Sequence, residues 1–442
     1  MRIVIVGAGA VGTHLAKRLS VEGQDVVLVE SDAGRAAEAQ REIDCLVIHG
    51  NGASAETLRE AGLGHSDLLI AVTSSDAVNV LASAAGTKLG IPRTVARVED
   101  PHLKAEVEAL GVDLVIDPGE AAARELLVLA ASGDITEMVE FAGGQLFLLG
   151  AHVDENAAFV GKTLADLRAS TDSWDWLVVA VIRRGETIIA RGDTTLEAHD
   201  HVLMMAHKSA KSKAYEWLGL SSRPAEKVLI LGGTRLATLT AGLLAERGIR
   251  TTLIDSDMSR CKAIAEELAD VVTVCGDPKD PSVLRAEGIA ATDVVMALSG
   301  WDSENIVGAL VAKALGARES IARFSDTELV GLLSGIGIDA TVNPRVSAAN
   351  EILRFVRRGM IHSVATFSDS DAEAIELEVG ENSPAIGKSL AELKLPHSLI
   401  IGGVQRGNEA FVPRGDTVIE LGDHLIVIAL PEAIQTAEKL SG

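Results

Sequence analysis

Short apolar runs recur along the first third of the chain: IVIV at 3–6, VVLVE at 26–30, CLVIHG at 45–50, LLIAVT at 68–73, TVARV at 94–98 and LVIDP at 114–118. Aliphatic, β-branched runs with hardly a charge inside them predict strands covered on both faces. Between them, apolar residues return every three or four positions, the period of a helix with one buried face. Strand and helix therefore alternate, which predicts a parallel, doubly wound α/β sheet of the Rossmann-like kind. From about 137 the pattern changes to short strands, turn signals and one small helix, a compact α+β module. The same succession begins again near 226.

The chain is written twice. Gly7 matches Gly232, Glu30 matches Asp255 and Asp32 matches Asp257, all at an offset of 225. After one insertion the offset is 226: Gly50 and Asn51 match Gly276 and Asp277, Thr73 matches Ser299, Asp76 and Asn79 match Asp302 and Asn305, and Arg97 matches Arg323. The repeat continues into the second module, where Gly161-Lys162-Thr163-Leu164 matches Gly387-Lys388-Ser389-Leu390 and Asp200-His201 matches Asp423-His424. Four domains are expected: a Rossmann-like lobe over 1–133, a small α+β lobe over 137–219, a second Rossmann-like lobe over 226–360 and a second small lobe over 361–442. A polar stretch rich in Ser and Lys, 208–227, joins the halves. In 346–360, VSAANEILRFVRRGM, helical spacing puts Val346, Ala349, Leu353, Val356 and Met360 on one face. That stripe suits a helix joining subunits and equally a helix lying on its own sheet.

The turn after the first strand carries the chemistry. Gly7, Gly9 and Gly12 form G-x-G-x-x-G, the fingerprint of a dinucleotide site. Gly7 permits the tight turn, Gly9 leaves room for a pyrophosphate at the backbone, and Gly12 lets the helix lie close to the sheet. The helix start then offers free N–H groups to the phosphates. Glu30 ends the second strand, where an acid accepts hydrogen bonds from the adenosine ribose. No basic residue directly follows it, which favours NAD over NADP. The second copy, LILGGTRLATLTAGLL at 229–244, keeps Gly232 and Gly233 but places Thr234 at the close-approach position and Ala237 at the third. Asp255, Asp277, Ser299 and Arg323 persist there, and Arg235 stands in the turn within reach of a polyphosphate. A weakened or merely structural second site and a site for a different nucleotide both fit these residues.

Composition narrows the class. The chain has 442 residues, 47% apolar but only 3% aromatic, as aliphatic sheets under helices require. A net charge of −23 repels nucleic acid and anionic lipid, so neither is an expected partner. Three cysteines, Cys45, Cys261 and Cys275, with no C-x-x-C pair, suit a reducing cytosol and no zinc or disulfide frame. There is no signal-peptide pattern and no apolar run of ~18 residues, so no segment is expected to insert in a membrane. His199, His201 and His207 lack a carboxylate or cysteine to complete a metal set, and a solvent-exposed hairpin is expected there. Asp193 and Asp416 read as turn residues.

Taken together, GAGAVG, GNGAS, AVTSSDAVN, VARVEDP and the VGKTL, GDT and DHV series resemble the TrkA family, the cytosolic regulatory subunits of bacterial Trk-type potassium transporters. The resemblance spans the whole chain and implies two RCK (KTN) domains, each a Rossmann-type lobe followed by a C-terminal lobe. It implies NAD(H) and ATP or ADP as ligands of the N-lobes, with NAD(H) in the first; an arginine at the position of Arg235 serves ATP or ADP in related RCK proteins, so the second lobe is either such a site or a structural remnant. It also implies a homotetrameric ring, peripheral at the cytoplasmic face of the inner membrane, gating a Trk-type transporter subunit. By this resemblance Gly7, Ala8, Gly9, Ala10 and Val11 surround the pyrophosphate, Asn51 and Gly52 lie near the adenine, and Thr73 and Ser74 border the far end of the cofactor. Arg97 is placed in the crevice, facing either ligand or a carboxylate across a subunit interface. Asp76 is expected to be a helix cap.

The competing class is a dehydrogenase. Hydride transfer needs a proton donor or acceptor facing the nicotinamide. The single tyrosine, Tyr215, lies in the linker, and His49 lies at the adenine end. The expectation is a binding switch without catalysis.

Overall fold

The computed structural model describes residues 1–442 except 133–136, 154–156, 158, 171–174, 211–212, 215–224, 326–332, 334–335, 358–362 and 368–369. The chain forms two compact units, Met1–Ala122 with Pro344–Arg358, and Ala123–Asn343 with Gly359–Gly442. Tyr215 and Met360 lie outside the described residues.

In the first unit, β1 (Arg2–Val6), β2 (Asp25–Glu30), β3 (Leu46–His49), β4 (Leu68–Ala71), β5 (Arg93–Arg97) and β6 (Leu114–Ile116) form one parallel sheet. Its order is β3-β2-β1-β4-β5-β6. The apolar runs are its core: Ile3, Ile5, Leu28, Leu68 and Ile70 are fully buried. The order reverses between β1 and β4, so the crevice beyond their C-terminal ends is the switch point where such sheets bind ligands. The connecting helices are α1 (Ala10–Val21), α2 (Ala33–Glu42), α3 (Ala55–Glu60), α4 (Asp76–Leu89) and α5 (Pro101–Ala109). Local chemistry starts most of them. Asp32, Ser54, Ser75 and Asp100 each accept a first-turn amide with the side chain, and Pro101 opens α5 with the fixed φ that suits a first helical residue.

The chain leaves through α6 (Pro118–Ser132), of which the residues from Ala123 onward belong to the second unit. That unit contains an antiparallel sheet of β7 (Glu137–Phe141), β8 (Leu146–His152), β9 (Trp176–Arg183), β10 (Glu186–Ile189) and β11 (His201–His207), with α7 (Leu164–Ala169) beside it. Next come β12 (Lys227–Leu231), α8 (Arg235–Glu246), β13 (Arg250–Asp255), α9 (Met258–Glu267), β14 (Val272–Cys275), α10 (Pro281–Ala286), β15 (Val294–Ala297), α11 (Asp302–Ala314), β16 (Glu319–Arg323) and β17 (Ala340–Val342). Their sheet order, β14-β13-β12-β15-β16-β17, repeats the first. After α12 (Pro344–Arg357), a second antiparallel sheet is built from β18 (Ser363–Phe367), β19 (Ser370–Glu378), β20 (Leu399–Arg406), β21 (Glu409–Phe411) and β22 (His424–Ala429), and α13 (Ile434–Glu438) follows. Among the described residues no helix is long and apolar enough to cross a membrane.

The two small lobes share one core. Leu148, Val179, Leu203 and Met205 of the first pack with Ala374, Ile426 and Ile428 of the second, sheet face on sheet face. Arg191 Nη2 donates to Pro396 O at 2.8 Å and Leu399 O at 2.7 Å, and Gln145 Nε2 donates to Asn408 O at 3.0 Å. Each lobe also clamps a buried aspartate with a part-exposed arginine. Arg183 meets Asp200 with Nε and Nη2 at 2.7 Å each, and Arg406 meets Asp423 with the same two atoms at 2.8 Å. These forked, charge-assisted contacts tie the turn before β11 or β22 to the strand beside it. The hairpin expected to be solvent-exposed is therefore not so throughout. Asp200 and His201 are buried, and the His201 ring lies 4.8 Å from that of His152. His199, at φ +67°, is exposed in the turn, as is Glu197.

Helix α12 corrects one expectation for its stripe. It does not lie on the sheet that precedes it. Its Ala348, Ala349, Ile352, Leu353 and Val356 join Val11, Leu15, Ala16 and Leu19 of α1 in the core of the first unit. Val346, placed on that face by spacing, is only half-buried and outside the core. Arg93 Nη1 donates to Val356 O at 2.5 Å, satisfying a carbonyl at the helix end. Periodicity fixed which face of α12 is apolar but could not say which of two like sheets it would cover.

Ile352→Ala is expected to lower the stability of the first unit by ~2–5 kcal/mol, the usual cost of such a cavity. Native-state hydrogen exchange should then speed up in α1 and β1 and stay unchanged in β12 and β15. Acceleration in β12 and β15 instead would place α12 on the wrong sheet.

Candidate functional site

The first crevice is built around the turn from β1 to α1. Gly7 has φ +106°, and a Cβ there would stand 3.1 Å from the backbone of Thr73. A Cβ on Gly12 would fall 1.8 Å from Gly7 O, so only glycine lets α1 sit this close to its turn. Gly9 differs. Its φ −76° and ψ −177° suit any residue, and a Cβ there would meet nothing within 4 Å. The fold gains nothing from a glycine at this place, while the open room in front of it is what an approaching phosphate needs. Gly9 is also the N-cap of α1 and supplies no side chain to the first turn, in contrast to the caps of α2 to α5. The first-turn amides have no partner inside a helix, so those of α1 are left for an anion.

Glu30 holds this turn in place. Its side chain is 4% exposed. Oε2 accepts Ala8 N at 2.7 Å, and Oε1 accepts Asp32 N at 2.8 Å and Arg35 Nη2 at 2.9 Å. Burial pushes its carboxyl up, but the hydrogen bonds from Arg35 and the two amides outweigh burial and hold it below the usual carboxylate range. The carboxylate is thus ionised at neutral pH. Oε2, with one amide on it, keeps acceptor capacity for a ribose hydroxyl.

The remaining expected residues fall around the same strand ends, with different jobs. Ala8 and Val11 are buried, and Ala10 is exposed beside Gly9. Asn51 is exposed, and its Oδ1 accepts Ala53 N at 2.9 Å, closing the loop after β3. Gly52 is a packing position, since a Cβ there would lie 2.1 Å from Val6 Cγ1. Thr73 N donates to Asn79 Oδ1 at 2.8 Å, and Asn79 Nδ2 donates to Thr73 O and Arg97 O at 3.0 and 2.9 Å. Ser74 is exposed at the crevice. Asp76 is not the cap of α4; Ser75 is. Asp76 Oδ2 instead accepts the amides of Glu99 and Asp100 at 3.0 Å, pinning the loop after β5. Arg97 pairs with Glu99 of its own chain. Asn79 and Arg35 carry roles that no motif marks; the repeat is the signal for both, because Asn305 and Arg260 stand at their offsets.

The second crevice repeats this framework and changes its centre. Gly233 N donates to Asp255 Oδ2 at 2.6 Å, Asp257 N to Oδ1 at 2.8 Å and Arg260 Nη1 to Oδ2 at 3.2 Å. Asn305 Oδ1 accepts Ser299 N at 2.7 Å, and its Nδ2 donates to Arg323 O at 3.0 Å. Gly232, at φ +101°, backs onto Ser299. Asp277 Oδ1 turns back onto Lys279 N, and Arg323 Nη1 donates to Ser299 O at 2.8 Å. Thr234, however, caps α8. Its Oγ1 accepts Ala237 N at 3.3 Å and donates to Leu298 O at 2.7 Å. The room that Gly9 leaves open is filled here, and one of the free amides is taken. Arg235, next in the chain, is exposed.

Glu30→Gln is expected to cost ~1–3 kcal/mol at pH 7, the penalty for a disrupted buried acceptor. The folded-state carboxyl titrates below its ordinary 4.5, so its stabilisation is complete above that value and fades as pH falls through the folded value. Urea denaturation from pH 7 to 3 should show the gap between wild type and variant closing below about pH 4.5. A constant gap would mean that the charge is not what holds the turn.

Comparison with known proteins agrees with this duplicated layout. Residues 3–118 and 228–344 match the TrkA-N domain, and residues 148–219 and 374–442 match the TrkA-C domain. The Trk system potassium uptake protein TrkA homolog of Archaeoglobus fulgidus is 36% identical, with 100% of both chains aligned. TrkA of Haemophilus influenzae is 32% identical over 97% of this chain and 95% of its own. Among solved structures, the GsuK RCK domain aligns at TM-score 0.61 and 20% identity over 100% of this chain and 94% of its own. The GsuK channel bound to NAD aligns at TM-score 0.62 and 20% identity over 100% and 78%. At that identity the likeness speaks for the fold. By its paired domains and its full-length relatives, the chain belongs to the TrkA family.

Proposed function

We infer that the protein is an NAD(H)-sensing regulatory subunit that gates a Trk-type potassium transporter. The observation that carries the nucleotide is the uncapped start of α1 at Gly9, facing open room beside an ionised Glu30. The transporter enters through relatives named for potassium uptake. A homotetrameric ring on the cytoplasmic face of the membrane is the assembly this reading uses. Glu30 disfavours a 2′-phosphate by charge, so NAD(H) is preferred over its phosphorylated form.

Binding, not turnover, is the role. His49, the imidazole nearest the crevice in sequence, lies at its adenosine end with Nε2 3.1 Å from Ser31 O. A switch needs a ligand that favours one conformation over another. Helix α1 is suited to that: its N-terminus faces the ligand while its flank holds α12. A shift of α1 on binding would therefore be felt by α12 within the same unit. The second fold is assigned no dinucleotide, because Thr234 occupies the phosphate room. The exposed Arg235 favours one other reading of that fold, an ATP or ADP site.

Calorimetric titration with NADH and then ATP separates these. One NADH per chain is expected, lost by at least ~100-fold (about 2.8 kcal/mol) in Gly9→Val, with the melting temperature unchanged because a side chain fits there. Normal NADH binding by Gly9→Val would remove the site assignment. ATP binding after NADH would assign the second fold to it; no further heat would leave that fold as scaffold. Potassium flux through reconstituted transporter that ignores NADH would remove the gating role.

A further inference from the structure

The second Rossmann-like fold differs from the first at two positions that the nucleotide reading does not use. Cys261, in α9, stands where the first fold has Ala36, at the 225 offset. Cys275, the last residue of β14, stands where the first fold has His49, at the 226 offset. In the second fold both sulfurs gather at the end of β13. Cys261 Sγ lies 3.2 Å from Asp255 O, and Cys275 Sγ lies 3.9 Å from the next carbonyl, Ser256 O. Cys261 Sγ is also 3.7 Å from Val274 O, the carbonyl just before Cys275. Asp255 and Cys275 are partners in the parallel register of β13 and β14. The two sulfurs thus sit against consecutive carbonyls at the end of β13, with Cys261 Sγ also against the carbonyl of the residue before Cys275. Two cysteines on separate elements are therefore brought together beside the acid that holds the second glycine turn.

They are not alike. Cys275 is exposed, whereas Cys261 is buried. Burial, the neighbouring Cys275 thiol and the charge of Asp255 push the Cys261 thiol up to about 11. Cys261 is thus protonated at neutral pH and shielded from reagents. An oxidant meets Cys275 first, and Cys261 is the only thiol placed to answer from within the same fold.

We propose that Cys261 and Cys275 are a redox modification site, a dithiol that hydrogen peroxide closes to a disulfide at the ribose end of the second crevice. The Cys275 thiolate attacks one peroxide oxygen; the O–O bond breaks, and the sulfenic acid and, after protonation, one water result. Cys261 sulfur then attacks the Cys275 sulfur. The S–S bond forms, the S–O bond breaks, and the hydroxide leaves as a second water with the proton of Cys261. Two thiols have lost two hydrogens, and one peroxide has become two waters. A dithiol reductant reverses the change by exchange. The closed bond joins α9 to β14 and takes Cys261 Sγ away from the Asp255 carbonyl, so the segment carrying Asp255 and Asp257 is altered. The first fold, with Ala36 and His49, has no equivalent chemistry. Redox input then acts on the second half of the chain, whatever that half binds. Disulfides in a reducing compartment are mostly of this transient, sensing kind.

The test uses the full-length protein, reduced and then exposed to one equivalent of hydrogen peroxide. Free thiols are alkylated and the peptides mapped without reduction. The expected result is a Cys261–Cys275 cross-linked peptide pair within one chain, with Cys45 alkylated. In Cys261→Ala, which restores the first fold's residue, the Cys275 sulfenic acid should persist and be trapped by dimedone several-fold more than in wild type. Three results would overturn the proposal: Cys275 carried on to sulfinic acid with Cys261 still alkylated in wild type, a cross-link between chains through Cys275, or equal dimedone trapping in wild type and Cys261→Ala. Because the readout is mass, it does not depend on nucleotide or transporter, and its failure would leave the proposed function untouched.

Discussion

A carboxylate at the end of the second strand holds each glycine turn by one backbone amide, and much else depends on that bond. In the first fold it is Glu30 on Ala8 N; in the second, Asp255 on Gly233 N. The amide fixes where the strand stops and where the next helix starts. The same carboxylate also takes the amide two residues on and an arginine five residues on, Arg35 or Arg260, so it joins the turn, the second strand and the second helix. Buried and hydrogen-bonded on both oxygens, the Glu30 charge is held by the fold, and Oε2 keeps capacity for a further donor at the crevice. A charge buried without such partners would cost several kcal/mol. With them, it sets the geometry of a helix start whose first amides lack a side-chain cap.

Once the turn is fixed, one residue separates a crevice with room from a crevice without it. Gly9 leaves α1 uncapped and open. Thr234 caps α8 with its own hydroxyl, which is what threonine does well at a helix start. In the first fold the missing cap is the position a phosphate would take. In the second the protein has satisfied itself. The duplicated framework survives around this difference, with Asn79 and Asn305 making the same pins between the fourth and fifth strands. Duplication thus kept the scaffold and let the chemistry diverge, at the thiols as well as at the turn.

The halves are not two beads on a string. Helix α12 follows the second sheet in the chain but completes the core of the first unit, and the two small lobes bury one common face between their sheets. Both arrangements make each repeat depend on the other for burial. Ile352 and Leu353 have no exposed surface to speak of in the first unit, and a half-chain would leave the apolar face of α1 uncovered.

Much of this was legible in the sequence. The apolar runs, the glycine spacing, Glu30 and the 225-residue repeat are local or periodic signals, and each follows from backbone geometry or one-dimensional pattern. They were enough for the sheet type, the duplication and the crevice. Other residues are visible in the sequence but not their partners. Asp76 stands where a helix cap is expected, yet its carboxylate reaches amides at Glu99 and Asp100. Asp200 and His201 sat in a turn-like stretch and proved buried, because Arg183 comes from another strand to meet them. What only the tertiary structure decided was which of two equivalent surfaces a segment would cover, and which distant side chains would meet. An apolar stripe states that a helix must be buried but carries no address. The choice between like sheets, the stacking of the small lobes and the meeting of Cys261 with Cys275 depend on long-range packing, which sequence spacing does not encode.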